Sequence, residues 1–111
     1  MTLTLWHNPR CSTSRKTLEL LREKGIEPNV RLYLEDAPTR AELEEVTARL
    51  PGGVSSLVRW KEAEAAPLKG AADADLLAAL AETPRLIERP VLIREGEARV
   101  GRPPETVLEI L

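Results

Sequence analysis

The sequence has one cysteine, no phenylalanine, no surplus of positive charge and no long apolar run. A single cysteine excludes an internal disulfide, a disulfide-stapled secreted scaffold and a cysteine-rich zinc site, so no metal is expected. The thiol is then either an inert core group or a reactive one. A formal net charge of -2 removes any general attraction for nucleic acid or an anionic membrane, and an anion site has to be local. No stretch approaches the ~20 apolar residues that span a bilayer, and no cationic segment leads into an apolar run near Met1. The expectation is a soluble protein of the reducing cytoplasm, with neither nucleic acid nor membrane as a direct partner. The lack of phenylalanine, beside nine prolines and an excess of arginine over lysine, fits a GC-rich genome and heat adaptation equally.

What is present fits one domain over residues 1–111, with a single core of modest size. Thr2–Trp6 alternates as a short strand, and Ser12 to about Lys24 carries Leu18 and Leu21 on one helical face, closed by Gly25. Asn29–Leu34 alternates again. A strand, helix and strand in 34 residues make a right-handed parallel crossover. Thr39 and Glu42 have capping-box spacing ahead of Leu43, Val46 and Leu50. Val54 to about Lys61 reads as a short helical turn, Glu62–Ala72 as a surface loop, and Asp73 or Asp75 as the cap of a helix through Leu76, Leu77 and Leu80. Val91–Ile93 and Ala98–Val100 flank a Glu95-Gly96 turn as an antiparallel hairpin, and Pro104 opens a C-terminal helix. The fold class is α/β, a βαβ unit plus a hairpin and a final helix, with a mixed four-stranded sheet and extra helical segments between the halves.

The chemistry gathers at His7-Asn8-Pro9-Arg10-Cys11-Ser12-Thr13-Ser14-Arg15, where the first strand turns into the first helix. Unpaired N–H groups at a helix start favour a thiolate, and His7, Arg10 and Arg15 can add charge. Free cysteine is also a common core hydrophobe, but the polar, Ser/Thr-rich flanks here are unlike a core stretch. Cys11 and Ser14 form Cys-x-x-Ser, which lacks a second thiol, and Thr17 stands where a phosphatase-type loop needs arginine. Electrons therefore have to come from an outside thiol. His7 can support the thiolate or serve as a hydrogen-bonding strand-end residue, and Asn8 and Ser14 can bond the turn or the sulfur. Arg59, Arg89 and Arg102 stand where a solvated salt-bridge face does not require them, and converging guanidinium groups would bind a tetrahedral oxyanion. Nine other arginines are equally available by position.

The same stretch, with Leu32-Tyr33-Leu34-Glu35, Leu57-Val58-Arg59, Pro84, Leu86-Ile87-Glu88-Arg89-Pro90-Val91 and Arg99-Val100-Gly101-Arg102-Pro103, resembles the glutaredoxin-coupled arsenate reductase branch (ArsC/Spx-like) of the thioredoxin superfamily. The resemblance covers essentially the whole chain and implies a thioredoxin-like, glutaredoxin-like core. It implies Cys11 as the nucleophile, Arg59, Arg89 and Arg102 as the oxyanion pocket, a cis Pro90 facing the cysteine turn, and His7 lowering the thiol pKa with Asn8, Ser14 and Arg15 in support. It further implies arsenate as substrate, glutathione as reducing co-substrate, glutaredoxin as electron donor and no tightly bound cofactor. Arg10 stands where that branch often has a small residue. Two other readings accompany it: a monothiol, glutathione-linked thiol-disulfide oxidoreductase, and a regulator that docks on RNA polymerase, whose usual Cys-x-x-Cys this chain lacks.

Overall fold

The computed structural model describes residues 2–111; Met1, which the expected domain includes, lies outside them. Four strands, β1 (Thr4–His7), β2 (Asn29–Leu32), β3 (Val91–Arg94) and β4 (Glu97–Val100), form one mixed sheet in the order β2-β1-β3-β4. β1 runs parallel to β2 and antiparallel to β3, and β3 pairs with β4 as a hairpin. Three α-helices accompany them: α1 (Ser12–Glu23), α2 (Arg40–Arg49) and α3 (Asp73–Glu82).

The two-residue side-chain period of a strand sorts the core into two layers. Leu5 and its cross-strand partner Leu92 lie with Leu18 and Leu21 of α1 and with Val107 and Ile110 of the C-terminal segment. Trp6 and its partner Val91 lie with Leu43, Val46, Leu57, Leu80 and Ala98 on the opposite face. Each fully buried aliphatic side chain stabilises the fold by roughly 1.5–3 kcal/mol, so this leucine-rich core holds two layers without phenylalanine.

Both early helices are tied off as their sequences indicate. α1 ends with Gly25 at φ +76°, its N–H donating to Arg22 O at 2.9 Å while Ile26 N–H donates to Leu21 O at 2.9 Å, the Schellman arrangement. Thr39 and Glu42 form a capping box at α2. Glu42 also pairs with Arg31 of β2, whose guanidinium lies 5.9 Å from the Trp6 ring centre. The Arg31 bond, with help from the Thr39 backbone, holds the Glu42 carboxyl down at about 2.

Elsewhere the structure departs from the sequence expectations. Residues expected as a surface loop include a 3-10 helix, Ala63–Leu68, because Ala65 is small enough to sit fully buried in the α2–α3 layer. Ala72, not Asp73 or Asp75, is the N-cap of α3; the two acids lie in its first turn, where they meet the positive end of the helix dipole. The C-terminal helix, Pro104–Ile110, is 3-10 throughout, and its three-residue repeat puts Val107 and Ile110 on one buried side. The Arg89–Pro90 peptide is cis, and so is Arg102–Pro103, which nothing in the sequence reading anticipated. Among the described residues no helix is long and apolar enough to cross a membrane.

Candidate active site

β1 stops at His7 and the chain reverses through Asn8-Pro9-Arg10. Cys11 N–H donates to Asn8 O at 3.0 Å, Arg10 N–H to Asn8 Oδ1 at 3.0 Å, and the Arg15 guanidinium returns to Pro9 O at 2.8 Å. This turn delivers Cys11 as the N-cap of α1 in extended conformation. No side chain caps the helix and no acid lies in its first turn. The first helical N–H groups are thus left to face the sulfur.

Burial pushes the Cys11 thiol up, but the backbone N–H of Ser14, the charge of Arg89, the backbone N–H of Thr13 and the charge of Arg102 outweigh it together. The net result is a thiol below its ordinary range, as expected for a cysteine at a helix start beside cations. The half-buried sulfur has Arg102 Nη2 at 3.5 Å.

His7 reaches Ser14 rather than the thiol. Ser14 is fully buried; its Oγ lies 2.7 Å from His7 Nδ1 and accepts Asn8 N–H at 3.0 Å. Burial, then the charges of Arg22 and Arg15, lower the His7 pKa, which keeps the ring neutral at pH 7. His7, Asn8 and Ser14 thereby form a hydrogen-bonded lock on the turn, while Arg15 braces it from Pro9.

Of the three arginines singled out in the sequence, Arg102 meets the thiol and Arg89 acts on it through its charge. The Arg102 Nε donates to Arg89 O at 2.8 Å, which seats its Nη2 beside Sγ. The Arg89 side chain is mostly buried and its Nε has no partner in the protein. Arg59 is held by its N–H to Leu86 O at 2.7 Å, next to the Val58–Ile87 bridge, and its guanidinium pairs with Glu62 at 3.3 Å. It is not among the groups that move the thiol pKa.

Two site residues had escaped the sequence reading of the chemistry. Burial raises the pKa of the Tyr33 phenol; Arg89, the Asn8 side chain and Arg59 oppose this, and Cys11 adds to the rise. Tyr33 is thus a neutral, buried group within reach of the same charges. The available signal was its place just past the end of β2, on the layer that holds Trp6. The other is Glu88, whose Oε1 accepts Arg89 Nη1 at 2.9 Å and lies 3.2 Å from Arg102 Nε. An acid next to a buried arginine in sequence was its only mark. Gly101, before Arg102, has Pro90 Cγ and Thr17 Oγ1 where a Cβ would stand, at 2.9 and 3.0 Å. Among the described residues no cluster of three or more His, Cys, Asp or Glu side chains could hold a metal ion.

The sheet order, the cysteine at the head of the first helix and the cis proline before β3 define a thioredoxin-like protein with a single active-site-type thiol. More narrowly, the chain belongs to the ArsC family, whose model matches residues 6–110. It is 45% identical to the uncharacterized protein YfgD of Escherichia coli, over 96% of this chain and 94% of that one. It is 41% identical to the arsenate reductase of Haemophilus influenzae, over the full length of both. Its backbone superposes on the arsenate reductase structure from Vibrio cholerae with a TM-score of 0.92 at 46% identity, covering 100% of this chain and 98% of that one.

Proposed function

We propose that the protein reduces arsenate to arsenite, with Cys11 as nucleophile and residues 1–111 acting as one thioredoxin-like domain. The observation that carries this reading is the depressed Cys11 thiol with Arg102 Nη2 at 3.5 Å and Arg89 adding its charge; the arsenate reductases it resembles at full length support the choice of oxyanion. The Cys11 thiolate attacks arsenic(V), an S–As bond forms, and an arsenate hydroxyl takes up a proton from solvent and leaves as water. Arg89 and Arg102 balance the charge on the remaining oxygens, and Arg59 completes the pocket from the Val58–Ile87 bridge. Guanidinium groups suit this task because they present several donors in one plane and stay charged at every relevant pH.

A lone thiol cannot finish the reaction, since two electrons have to reach arsenic. Glutathione is the reducing co-substrate in this reading. Its thiolate attacks Cys11 Sγ, the electron pair of the S–As bond stays on arsenic as arsenite leaves, and Cys11 remains as a mixed disulfide. Glutaredoxin then takes the glutathione and restores the thiolate. No tightly bound cofactor enters any step. Arsenite production that requires both glutathione and glutaredoxin is the expected result; its absence at saturating arsenate would overturn the substrate assignment.

A further inference from the structure

Glu88 is out of keeping with a pocket built only to attract anions. Its backbone N–H donates to Leu57 O at 2.6 Å, so the residue is anchored beside the Val58–Ile87 bridge. Its carboxylate stands between the two arginines that depress the thiol, 2.9 Å from Arg89 Nη1 and 3.2 Å from Arg102 Nε. Both contacts use Oε1. The side chain is only 21% exposed, which leaves its negative charge poorly screened by water. If attraction were all the site required, a neutral side chain would bind an oxyanion better.

We infer that Glu88 selects for oxyanions that still carry a proton, an inference that rests on reading Cys11, Arg89 and Arg102 as an oxyanion site. A carboxylate only accepts hydrogen bonds. An anion with an O–H, such as monohydrogen arsenate or phosphate, donates that proton to Glu88 while its other oxygens meet the arginines, a charge-assisted pair of the strong kind. Sulfate near neutral pH has no proton to donate and brings two bare charges against the carboxylate. Repulsion of the wrong partner is a common source of specificity, and a poorly hydrated site magnifies it. Glu88 thus gives up some affinity for every anion and gains rejection of sulfate. It acts by direct contact with the anion, so it is a specificity-determining residue of the pocket and not a residue that moves electrons.

The test is protection of Cys11 from alkylation by inorganic phosphate and by sulfate, at constant ionic strength and pH 7, each rate normalised to the anion-free rate. In the native protein half-protection should need about tenfold or more sulfate than phosphate. Glu88→Gln, close in shape but uncharged and able to donate, should bring the two anions close to parity. Glu88→Asp, which keeps the carboxylate, should retain the preference for phosphate and shows that Glu88→Gln does not act through misfolding. An unchanged phosphate-to-sulfate ratio in Glu88→Gln overturns the inference while leaving the oxyanion site standing. Failure of phosphate, sulfate and arsenate alike to protect native Cys11 overturns the oxyanion site, and the inference with it.

Discussion

Arg102 Nη2 lies 3.5 Å from Cys11 Sγ although the two residues are 91 positions apart, and the guanidinium is seated there by its own Nε donating to Arg89 O. The contact joins the cysteine turn to the segment after the hairpin, so both halves of the chain are needed to make one reactive sulfur. Replacing Arg102 by alanine removes a positive neighbour of the thiolate. The thiol pKa should rise, and arsenate turnover should fall by about 10²-fold, as for loss of one oxyanion donor. A pH profile of alkylation gives the first quantity and arsenite formation the second. An Arg102→Ala thiol that titrates with the native one would contradict the electrostatic role.

Ser14 should prove to be a stability residue more than an electrostatic one. Its fully buried Oγ serves both His7 Nδ1 and Asn8 N–H, so Ser14→Ala leaves a buried ring nitrogen and a half-buried N–H unpaired. The expected loss is about 1–3 kcal/mol in denaturant unfolding. The backbone N–H of residue 14, which lowers the thiol pKa, survives the substitution. The alkylation profile should therefore move little, and a shift as large as that of Arg102→Ala would show that the hydroxyl itself acts on sulfur.

The His7 ring predicts the direction of a pH effect. Burial first, then Arg22 and Arg15, lower its pKa from the ordinary 6.5, so the fold favours the neutral ring. At pH values above about 6.5 both folded and unfolded chains hold it neutral and nothing is lost. As pH falls below that value the unfolded chain takes up the proton first, and stability declines toward the lower folded pKa. His7→Gln should flatten this part of a Tm-against-pH curve relative to the native protein. Identical slopes between pH 7 and pH 5 would count against a buried neutral His7.

Much of this was legible in the sequence because it depends on local pattern. The Thr39–Glu42 box, the Gly25 stop and the Glu95-Gly96 turn each write their geometry within a few residues, and all three are present; the first two period-two runs are strands with shifted bounds, β1 over Thr4–His7 and β2 ending at Leu32 without alternating burial. The 62–72 segment was not legible, since burial of Ala65 depends on α2 and α3 packing around it. The cap of α3 was misassigned for a related reason: an acid in a first turn and an acid at an N-cap look alike in sequence. Within the site, Cys11 stood out through its polar flanks, whereas Arg102 could be told from the other arginines only by resemblance. Glu88 and Tyr33 carried only faint marks there, because their roles come from a bridge and a sheet layer that bring distant residues to the thiol.

Gly101 should tolerate no side chain. A Cβ there would stand 2.9 Å from Pro90 Cγ and 3.0 Å from Thr17 Oγ1, and the Thr17 hydroxyl is itself held by Thr13 O at 2.9 Å. Neither neighbour is the free end of a flexible chain. Gly101→Ala is expected to cost about 1–3 kcal/mol of stability by overpacking. Since Arg102 follows directly, turnover should drop as well. Full activity with an unchanged Tm would mean that α1 and the proline segment can move apart freely.

Arg59 offers the sharpest separation of binding from activation. It pairs with Glu62 at 3.3 Å and does not figure among the groups that depress the Cys11 thiol, yet its charge reaches Tyr33, which Cys11 also influences. Under the proposed function Arg59 takes the rim of the oxyanion pocket, with no hydrogen bond to the sulfur among the described residues. Arg59→Ala should weaken arsenate binding by about tenfold, seen as a raised KM, and leave the alkylation pH profile where it was. Arg102→Ala should move both. On a glutathionylated peptide, reduction by Arg59→Ala should match the native protein if the pocket serves the oxyanion. A parallel loss on that peptide would shift the assignment of the arginines toward the carboxylates of glutathione.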